Sequence, residues 1–361
     1  MKIFFIGDAE DFHVVDKFNQ ATQVLKDKEI FLFSGISIEK NQLGSTLVND
    51  ANVVKYDLSF MLFLNFLKNS QFIKNVIKAL LYPFQIILLK FVKWRNPGSK
   101  FHAFTMYYAV LCYFTRLDCV VTPQASEILH RLDLSTIYRF FALRALSHAT
   151  KIIVDSQQMQ VKLTEFGVDS LVFKNGFDTE QLLADFNNPP ERDLIVSIRG
   201  LRALYRIDRI FDARDALNRA TGLLLIYPAS DLDYKKKLER RLLNIDTDVG
   251  TLDKPSMYGL LRRSKLVISI PETDSSPRSV YEAIFAGSAA AVTKSSYLDE
   301  LPVCMLKRIL VVDLDNIYWM AEALAFADDV VSKQYIPSQE ALNMCDSNTT
   351  MQNISDAFYN E

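Results

Sequence analysis

The sequence predicts an α/β fold with two Rossmann-like domains, each a parallel sheet covered by helices on both faces. Three observations support this class. Short β-branched or aromatic runs alternate with helical patterns along the chain, which is typical of parallel sheets. The length of 361 residues exceeds one ordinary core and suggests two domains. A proline-rich linker also interrupts the alternation near its middle.

The first domain is predicted over residues 1–186. It opens with a strand over Lys2–Ile6, and an amphipathic helix follows over Val14–Lys28. Further β-branched and aromatic runs predict strands at Ile30–Ser34, Asn52–Tyr56, Phe101–Phe104, Cys119–Thr122, Lys151–Asp155 and Leu171–Lys174.

The linker contains Pro189 and Pro190, which restrict the preceding residue to extended backbone and end any helix. The second domain is therefore expected over residues 191–340. Residues 341–361 form a helical segment expected to pack back toward the first domain. Strands of the second domain are predicted at Leu194–Ile198, Gly222–Tyr227, Leu266–Ile270, Ser288–Thr293 and Ile309–Val312, and helices at Ile207–Ala216, Tyr234–Leu243, Ser256–Arg263 and Pro277–Ala286.

The composition excludes several classes of protein. With 49% hydrophobic and 23% charged residues, the chain is neither disordered nor collagen-like. Its formal net charge of −2 argues against a nucleic-acid binder, and its four dispersed histidines argue against a His-rich metal site. The cysteines show no CxxC spacing and the N-terminus does not resemble a signal peptide, so we expect a reduced, cytoplasmic protein.

Residues 269–287 predict a strand, a polar loop and a helix. The strand is expected to end at Ile270. Ser276 is predicted to cap the helix and Pro277 to be its first residue, where the missing N–H costs nothing. Because parallel sheets bind ligands at the carboxyl ends of their strands, this loop is a candidate site.

The start of this helix is a predicted anion site. Free backbone N–H groups there, including those of Arg278 and Ser279, favour a phosphate. Asp274 and Glu282 flank these amides, and their spacing allows one carboxylate to meet a ribose and the other a sugar. Each could instead be an ordinary polar residue, since Asp favours turns and Glu favours exposed helix positions.

This segment resembles the E-x7-E motif of retaining glycosyltransferases of family 4, which have the GT-B fold. The spacing is kept as Asp274-x7-Glu282, and Ala283–Gly287 is similar to the end of the family's Glu-Ala-Met-Ala-x-Gly. Asp274 stands where the family often has Glu. Ser275 and Pro277 stand at positions where the family has glycine.

Other segments resemble the family in the expected order. The loop Ser197–Asp208 is similar to its phosphate-gripping loop, which in many members carries an Arg and a Lys. Arg199 matches the first cation, and the second is left open between Arg202 and Arg206. Asn175–Glu180 resembles the turn that ends the first domain, and Val249–Thr251 resembles the nucleotide-base loop. Two segments of the first domain, Gly7–His13 and Val121–Leu129, resemble acceptor-side loops.

The resemblance implies a GT-B fold with two domains facing across a cleft, and transfer of a sugar from a UDP- or GDP-sugar to a glycan or polyprenyl-linked acceptor. It implies a role in bacterial surface polysaccharide synthesis, with no metal and no cofactor. The implied catalytic residues are Asp274, Arg199 and His13. The implied donor-binding residues are Glu282, Ser275, Ser276, Arg278, Ser279, Arg202, Arg206 and Thr251.

Two questions stay open in the sequence. The missing lysine and altered glycines would also fit a catalytically idle GT-B scaffold or a partner subunit of another transferase. The basic, aromatic stretch 58–100 fits either a buried helix pair with solvated lysines or a peripheral patch that contacts anionic lipid at the inner face of the cell membrane.

Overall fold

The computed structural model describes residues 1–8, 11–34, 53–57, 71–183, 191–217 and 220–359, with the side chains of all these except residues 12, 53–57 and 71–80. They form two compact units. The first unit is Met1–Lys174 with Asn348–Glu361, and the second unit is Asn175–Ser347. The predicted linker residues 187–190 lie outside the described residues, and residues 175–183, before that linker, belong to the second unit.

The first unit is built on a seven-stranded parallel sheet with the order β3-β2-β1-β4-β5-β6-β7. Its strands are β1 (Lys2–Ile6), β2 (Glu29–Ser34), β3 (Val53–Asp57), β4 (Lys100–Phe104), β5 (Cys119–Thr122), β6 (Lys151–Val154) and β7 (Leu171–Val172). The helices between them are α1 (Phe12–Val24), α2 (Gln71–Arg95), α3 (Thr105–Thr115), α4 (Leu132–Leu134), α5 (Thr136–His148) and α6 (Gln157–Thr164).

The second unit contains a six-stranded parallel sheet with the order β10-β9-β8-β11-β12-β13. Its strands are β8 (Leu194–Ser197), β9 (Leu224–Ile226), β10 (Thr247–Gly250), β11 (Ser264–Ser269), β12 (Ala289–Val292) and β13 (Ile309–Val311). Its helices are α7 (Thr179–Leu183), α8 (Ile207–Asp215), α9 (Leu232–Glu239), α10 (Lys254–Arg263), α11 (Arg278–Phe285), α12 (Val303–Leu306), α13 (Trp319–Val331) and α14 (Gln339–Cys345). The α/β class predicted from the sequence is confirmed.

The core of the first unit follows from the alternation of side chains along its strands. In β1, Phe4 and Ile6 pack in a cluster with residues of α2, α3, α5 and α6. Ile3 and Phe5 pack on the opposite face with residues of α1 and the final helix, α15 (Ser347–Phe358). Because both faces are covered, the strand is apolar throughout apart from its first residue.

Each sheet has one point where the direction of strand addition reverses. In the second unit the chain runs from β8 outward to β10 and then returns to place β11 on the other side of β8. In the first unit the same reversal occurs between β1 and β4. Ligands in open parallel sheets bind outside the carboxyl ends of the strands at such points, so functional side chains are expected at these two edges.

Candidate functional site

The candidate site of the second unit lies where β8 and β11 end. The two strands pair in parallel, with Val196 opposite Val267, so their following loops start side by side. A backbone hydrogen bond of 2.9 Å from the Glu272 N–H to the Leu204 carbonyl joins these loops. The register of the buried strands therefore fixes both loops against each other.

Arg199 and Asp274 form an ion pair across this edge. The Arg199 Nη2 donates to Asp274 Oδ2, and its Nε donates to Ser269 Oγ at 2.7 Å. The two side chains are 14% and 16% exposed, which makes this pair stronger than a surface pair and also more costly to break. Two of the predicted site residues are thus brought together, by a contact that neither motif alone indicates.

The structure separates the two candidates for the second cation. Arg206 lies at φ +51°, a left-handed conformation that is uncommon outside glycine, and its Nη2 donates to the Pro271 carbonyl in the neighbouring loop. Its Nε is buried without a hydrogen-bond partner among the described residues. Arg202 is exposed. Arg206 therefore belongs to the β8/β11 edge.

The start of α11 differs from the prediction. The helix begins at Arg278, and Pro277 is the capping residue, whereas Ser276 was predicted to cap the helix and Pro277 to be its first residue. The physical reason is the backbone of Pro277, whose ψ of 78° is not helical. The Arg278 N–H, predicted to be free, donates to the Ser276 carbonyl at 2.9 Å.

At Ser279 the hydrogen-bond donors predicted for this turn remain unbonded among the described residues. The amides of Arg278 and Val280 bond to the carbonyls of Ser276 and Pro277. In the described part of the chain, no acceptor meets the Ser279 N–H, and its Oγ is buried without a partner. Two donors of one residue thus remain at the positive end of the α11 dipole.

Glu282 lies one turn further along α11 and is 4% exposed. Its Oε1 accepts from Arg278 Nε at 3.0 Å and from Tyr258 Oη at 3.2 Å. A buried carboxylate needs such partners, because an unpaired charge away from water is costly. The Tyr258 contact was not predicted, because that residue comes from a different helix, α10.

The other predicted donor-binding residues are Ser275 and Ser276, in the loop before α11, and Thr251, just after β10. Ser275 is buried in the loop before α11, and Ser276 contributes its carbonyl there. Thr251 is exposed just after β10, and its hydroxyl donates to the Tyr227 carbonyl at 3.1 Å. Because β9 separates β10 from β8, Thr251 lies further along the same sheet edge.

The first unit carries its own polar cluster at the carboxyl ends of its strands. Tyr108 donates to Asp8 after β1, and Glu127 Oε2 accepts the N–H groups of Met106 and Gln124, each at 2.9 Å. Burial raises the pKa of Glu127. The predicted His13 lies in the first turn of α1, where its N–H donates to the capping Asp11 at 2.9 Å.

Thr105, at the start of α3, stands at the β1/β4 reversal with φ +71°. A β-branched residue in this conformation stores backbone strain of about 1–3 kcal/mol, and such strain concentrates at functional sites. Nothing in the sequence pattern indicated it. Among the described residues, no three His, Cys, Asp or Glu side chains are grouped so as to hold a metal ion.

No protein-family model and no curated protein matches the sequence. Several solved structures are similar to it. HepE of Anabaena, in complex with UDP and glucose, is 15% identical, with 99% of each chain covered and a TM-score of 0.68. Sucrose-phosphate synthase of Thermosynechococcus elongatus is 12% identical over 99% of this chain and 98% of that chain, with a TM-score of 0.75.

The lipopolysaccharide outer core galactosyltransferase WaaB, in its apo form, is 14% identical, with 100% of this chain and 99% of that chain covered and a TM-score of 0.63. At such low identities the likeness concerns the fold. The chain has the GT-B fold, with a Rossmann-like sheet in each of its two units.

Proposed function

We propose that the chain is a retaining glycosyltransferase of family 4. It moves a sugar from a UDP- or GDP-linked donor to a glycan or polyprenyl-linked acceptor in the synthesis of a bacterial surface polysaccharide. The observation that carries the proposal is the pairing of Arg199 with Asp274 at the β8/β11 edge, beside the free donors of Ser279. The likeness to HepE, solved with UDP and glucose, supports a nucleotide-sugar donor.

The chemistry requires donors for the leaving diphosphate. Sugar transfer builds positive charge on the anomeric carbon and negative charge on the departing phosphates, so preorganised hydrogen-bond donors near those phosphates accelerate it. Arg199 is preorganised, because Ser269 and Asp274 hold its Nε and Nη2. Its Nη1 meets no acceptor among the described residues and is assigned to a phosphate oxygen.

Two further residues complete this donor set. The Ser279 N–H and Oγ–H are assigned to the same diphosphate, at the N-terminus of α11. Arg206 is assigned as the second cation, in place of the family's lysine, because it lies against the Pro271 carbonyl. With these cations in place, the proposed reaction uses no metal ion.

The acceptor is assigned to the first unit, near the polar cluster of Asp8 and Glu127. His13 is proposed to orient the sugar or the acceptor, and a phosphate oxygen of the donor takes the acceptor's proton. The stretch 58–100 is proposed to contact the inner face of the cell membrane. Residues 58–70 of that stretch lie outside the described residues.

A second candidate function has one observation in its favour. Glu282, which the resemblance assigns to the donor ribose, is buried and engaged with Arg278 and Tyr258. A catalytically idle GT-B scaffold, or a partner subunit of another transferase, would keep such internal pairing. It would bind nucleotide without turnover.

A panel experiment tests the proposal. The full chain is incubated with UDP- and GDP-sugars and candidate acceptors, and released nucleotide is measured alongside calorimetric binding of each nucleoside diphosphate. We expect release with at least one donor. Nucleotide binding without turnover under all conditions would favour the scaffold, and the absence of both binding and turnover would contradict the donor site.

A further inference from the structure

The outer side of α2 is unusually apolar for a surface helix. Phe84, Ile87, Phe91 and Trp94 recur at helical spacing and are exposed, with Trp94 at 74%. Residues at the opposite side of the helix, Leu89 among them, are buried in the core. Exposed apolar stripes of this kind mark surfaces that bind a partner or a membrane.

A second exposed stripe lies on α5, outside the stretch 58–100. It consists of Ile137, Phe140 and Phe141. The Phe141 ring contacts the exposed Phe114 of α3, with 6.1 Å between ring centroids, and Phe114 contacts Tyr82 of α2 at 6.0 Å. The three helices pack in the same core cluster on one face of the sheet. We call the exposed residues of α2, α3 and α5 the aromatic face.

The helices that carry the aromatic face contain no acidic residue, and α2 and α5 carry cations. No Asp or Glu occurs between Asp57 and Asp118, or between Asp133 and Asp155. The described parts of these stretches carry exposed cations, including Lys90 on α2 and Arg144 on α5. The whole chain nevertheless has a formal net charge of −2, so these helices carry a local excess of positive charge.

A shallow cavity of about 360 Å³ opens beside the stripe on α5. It is lined by Tyr113, Leu143, Arg144, Ser147 and His148. The Arg144 guanidinium lies 4.3 Å from the Phe140 ring centroid, and His148 Nε2 is buried without a partner in the described part of the chain. The lining thus combines a cation, hydroxyl groups and an imidazole next to apolar rings.

We propose that the aromatic face docks on a phospholipid bilayer with anionic headgroups, and that the cavity at Arg144 holds one headgroup phosphate. Aromatic and aliphatic side chains enter the headgroup region while surrounding cations meet anionic lipid. A second copy of the chain fits this surface less well, because a two-fold contact would bring cations against cations. In the part of the chain that is described, no helix is long and apolar enough to span a membrane.

This inference deepens the proposed function, and it rests on that function for its lipid-linked acceptor. Its test uses no sugar nucleotide, so the two can fail separately. The chain has two tryptophans, Trp94 on the aromatic face and Trp319, which is 2% exposed in the core of the second unit. Emission from Trp319 is therefore a constant background, and Trp94 reports on the surface.

The experiment mixes the full chain with vesicles of phosphatidylcholine, with or without phosphatidylglycerol. We expect the anionic vesicles to sediment the protein, to shift Trp94 emission to the blue and to shield it from iodide. The Trp94→Phe variant should lose the spectral change and still sediment. No sedimentation and no shift with anionic vesicles would overturn the proposal, as would a blue shift that follows protein concentration without vesicles.

Paired variants locate the binding. Phe140→Ser with Phe141→Ser should lower the vesicle affinity by at least tenfold. Ile336→Ser, at a more exposed apolar residue of the second unit, should leave it unchanged. An equal loss in both would contradict docking through this face. Thermal unfolding followed by circular dichroism checks that each variant is folded.

Charge variants test the cavity. Each cation near an anionic bilayer contributes about fivefold to the affinity, so Lys90→Gln should lower it about fivefold and Lys237→Gln on α9 should not change it. Arg144→Gln should lower it by clearly more than Lys90→Gln, because it also removes the headgroup contact. Equal losses for Arg144→Gln and Lys90→Gln would overturn the headgroup assignment.

Discussion

Replacing Arg199 by methionine tests whether this guanidinium serves the reaction or only the fold. The substitution removes hydrogen bonds to Ser269 and Asp274 and leaves the Asp274 carboxylate, 16% exposed, without its cation. Stranding a fully buried charge costs about 3–5 kcal/mol. Since both side chains still meet water, we expect a loss of about 1–2 kcal/mol in the free energy of unfolding.

The expected effect on catalysis is larger. Loss of one donor to a developing negative charge typically costs about 3 kcal/mol of transition-state stabilisation, which corresponds to roughly a hundredfold in kcat. Nucleotide release measured at saturating donor gives this number. Urea unfolding gives the stability of the same preparation.

A second substitution separates the two effects. Adding Asp274→Asn to Arg199→Met neutralises the stranded carboxylate, so most of the lost stability should return while turnover stays low. Arg263→Met is the control, because Arg263 pairs with Asp193 at 3.0 Å in a half-exposed ion pair of the same unit. It should cost less than about 1 kcal/mol and leave kcat unchanged. Full turnover in Arg199→Met, or recovery of turnover in the double variant, would contradict a catalytic role for the Arg199 guanidinium.

Three further predictions concern individual side chains. Ser279→Ala should weaken nucleoside diphosphate binding several-fold in calorimetry. The midpoint of thermal unfolding should not fall, because the buried Ser279 Oγ has no partner to lose; unchanged binding would contradict a role of Ser279 in holding the diphosphate. Burial, with a smaller effect from Lys17, lowers the pKa of His102 to about 3. The unfolded chain therefore takes up a proton below about pH 6.5 that the folded chain excludes. The free energy of unfolding should fall by about 2 kcal/mol from pH 7.5 to pH 5 in urea titrations. His102→Gln should remove that part of the pH dependence, and an unaltered pH dependence in this variant would contradict the role of His102. Asp246→Asn should cost about 3 kcal/mol in the same titrations, because the fully buried carboxylate accepts from Arg214 at 2.5 Å; a cost under 1 kcal/mol would contradict this.

Most strands of the two sheets were predictable, because each is a short apolar run that can be recognised from its local sequence. The runs Lys2–Ile6 and Cys119–Thr122 form strands with the bounds that were predicted. The helix predicted over Val14–Lys28 runs instead over Phe12–Val24, because the Asp11 side chain caps it earlier. The edge strand β10, which pairs with β9, was not predicted, because Thr247–Gly250 contains few apolar residues.

The site was predictable only in its local parts. The loop before α11 and its Ser279 donors follow from a strand, a polar loop and a helix in succession. The contact of Arg199 with Asp274 joins residues 75 positions apart, which no local pattern specifies. The strained Thr105 and the exposed stripe on α5 were missed for a related reason, because both depend on how helices pack on the sheet.

A crystal structure of the chain with bound UDP would show directly whether the β8/β11 edge holds the diphosphate. We expect the diphosphate oxygens to lie within hydrogen-bond distance of the Ser279 N–H and hydroxyl and of the Arg199 guanidinium, at the carboxyl ends of β8 and β11. A diphosphate bound elsewhere, with Arg199 still engaged only by Ser269 and Asp274, would contradict it.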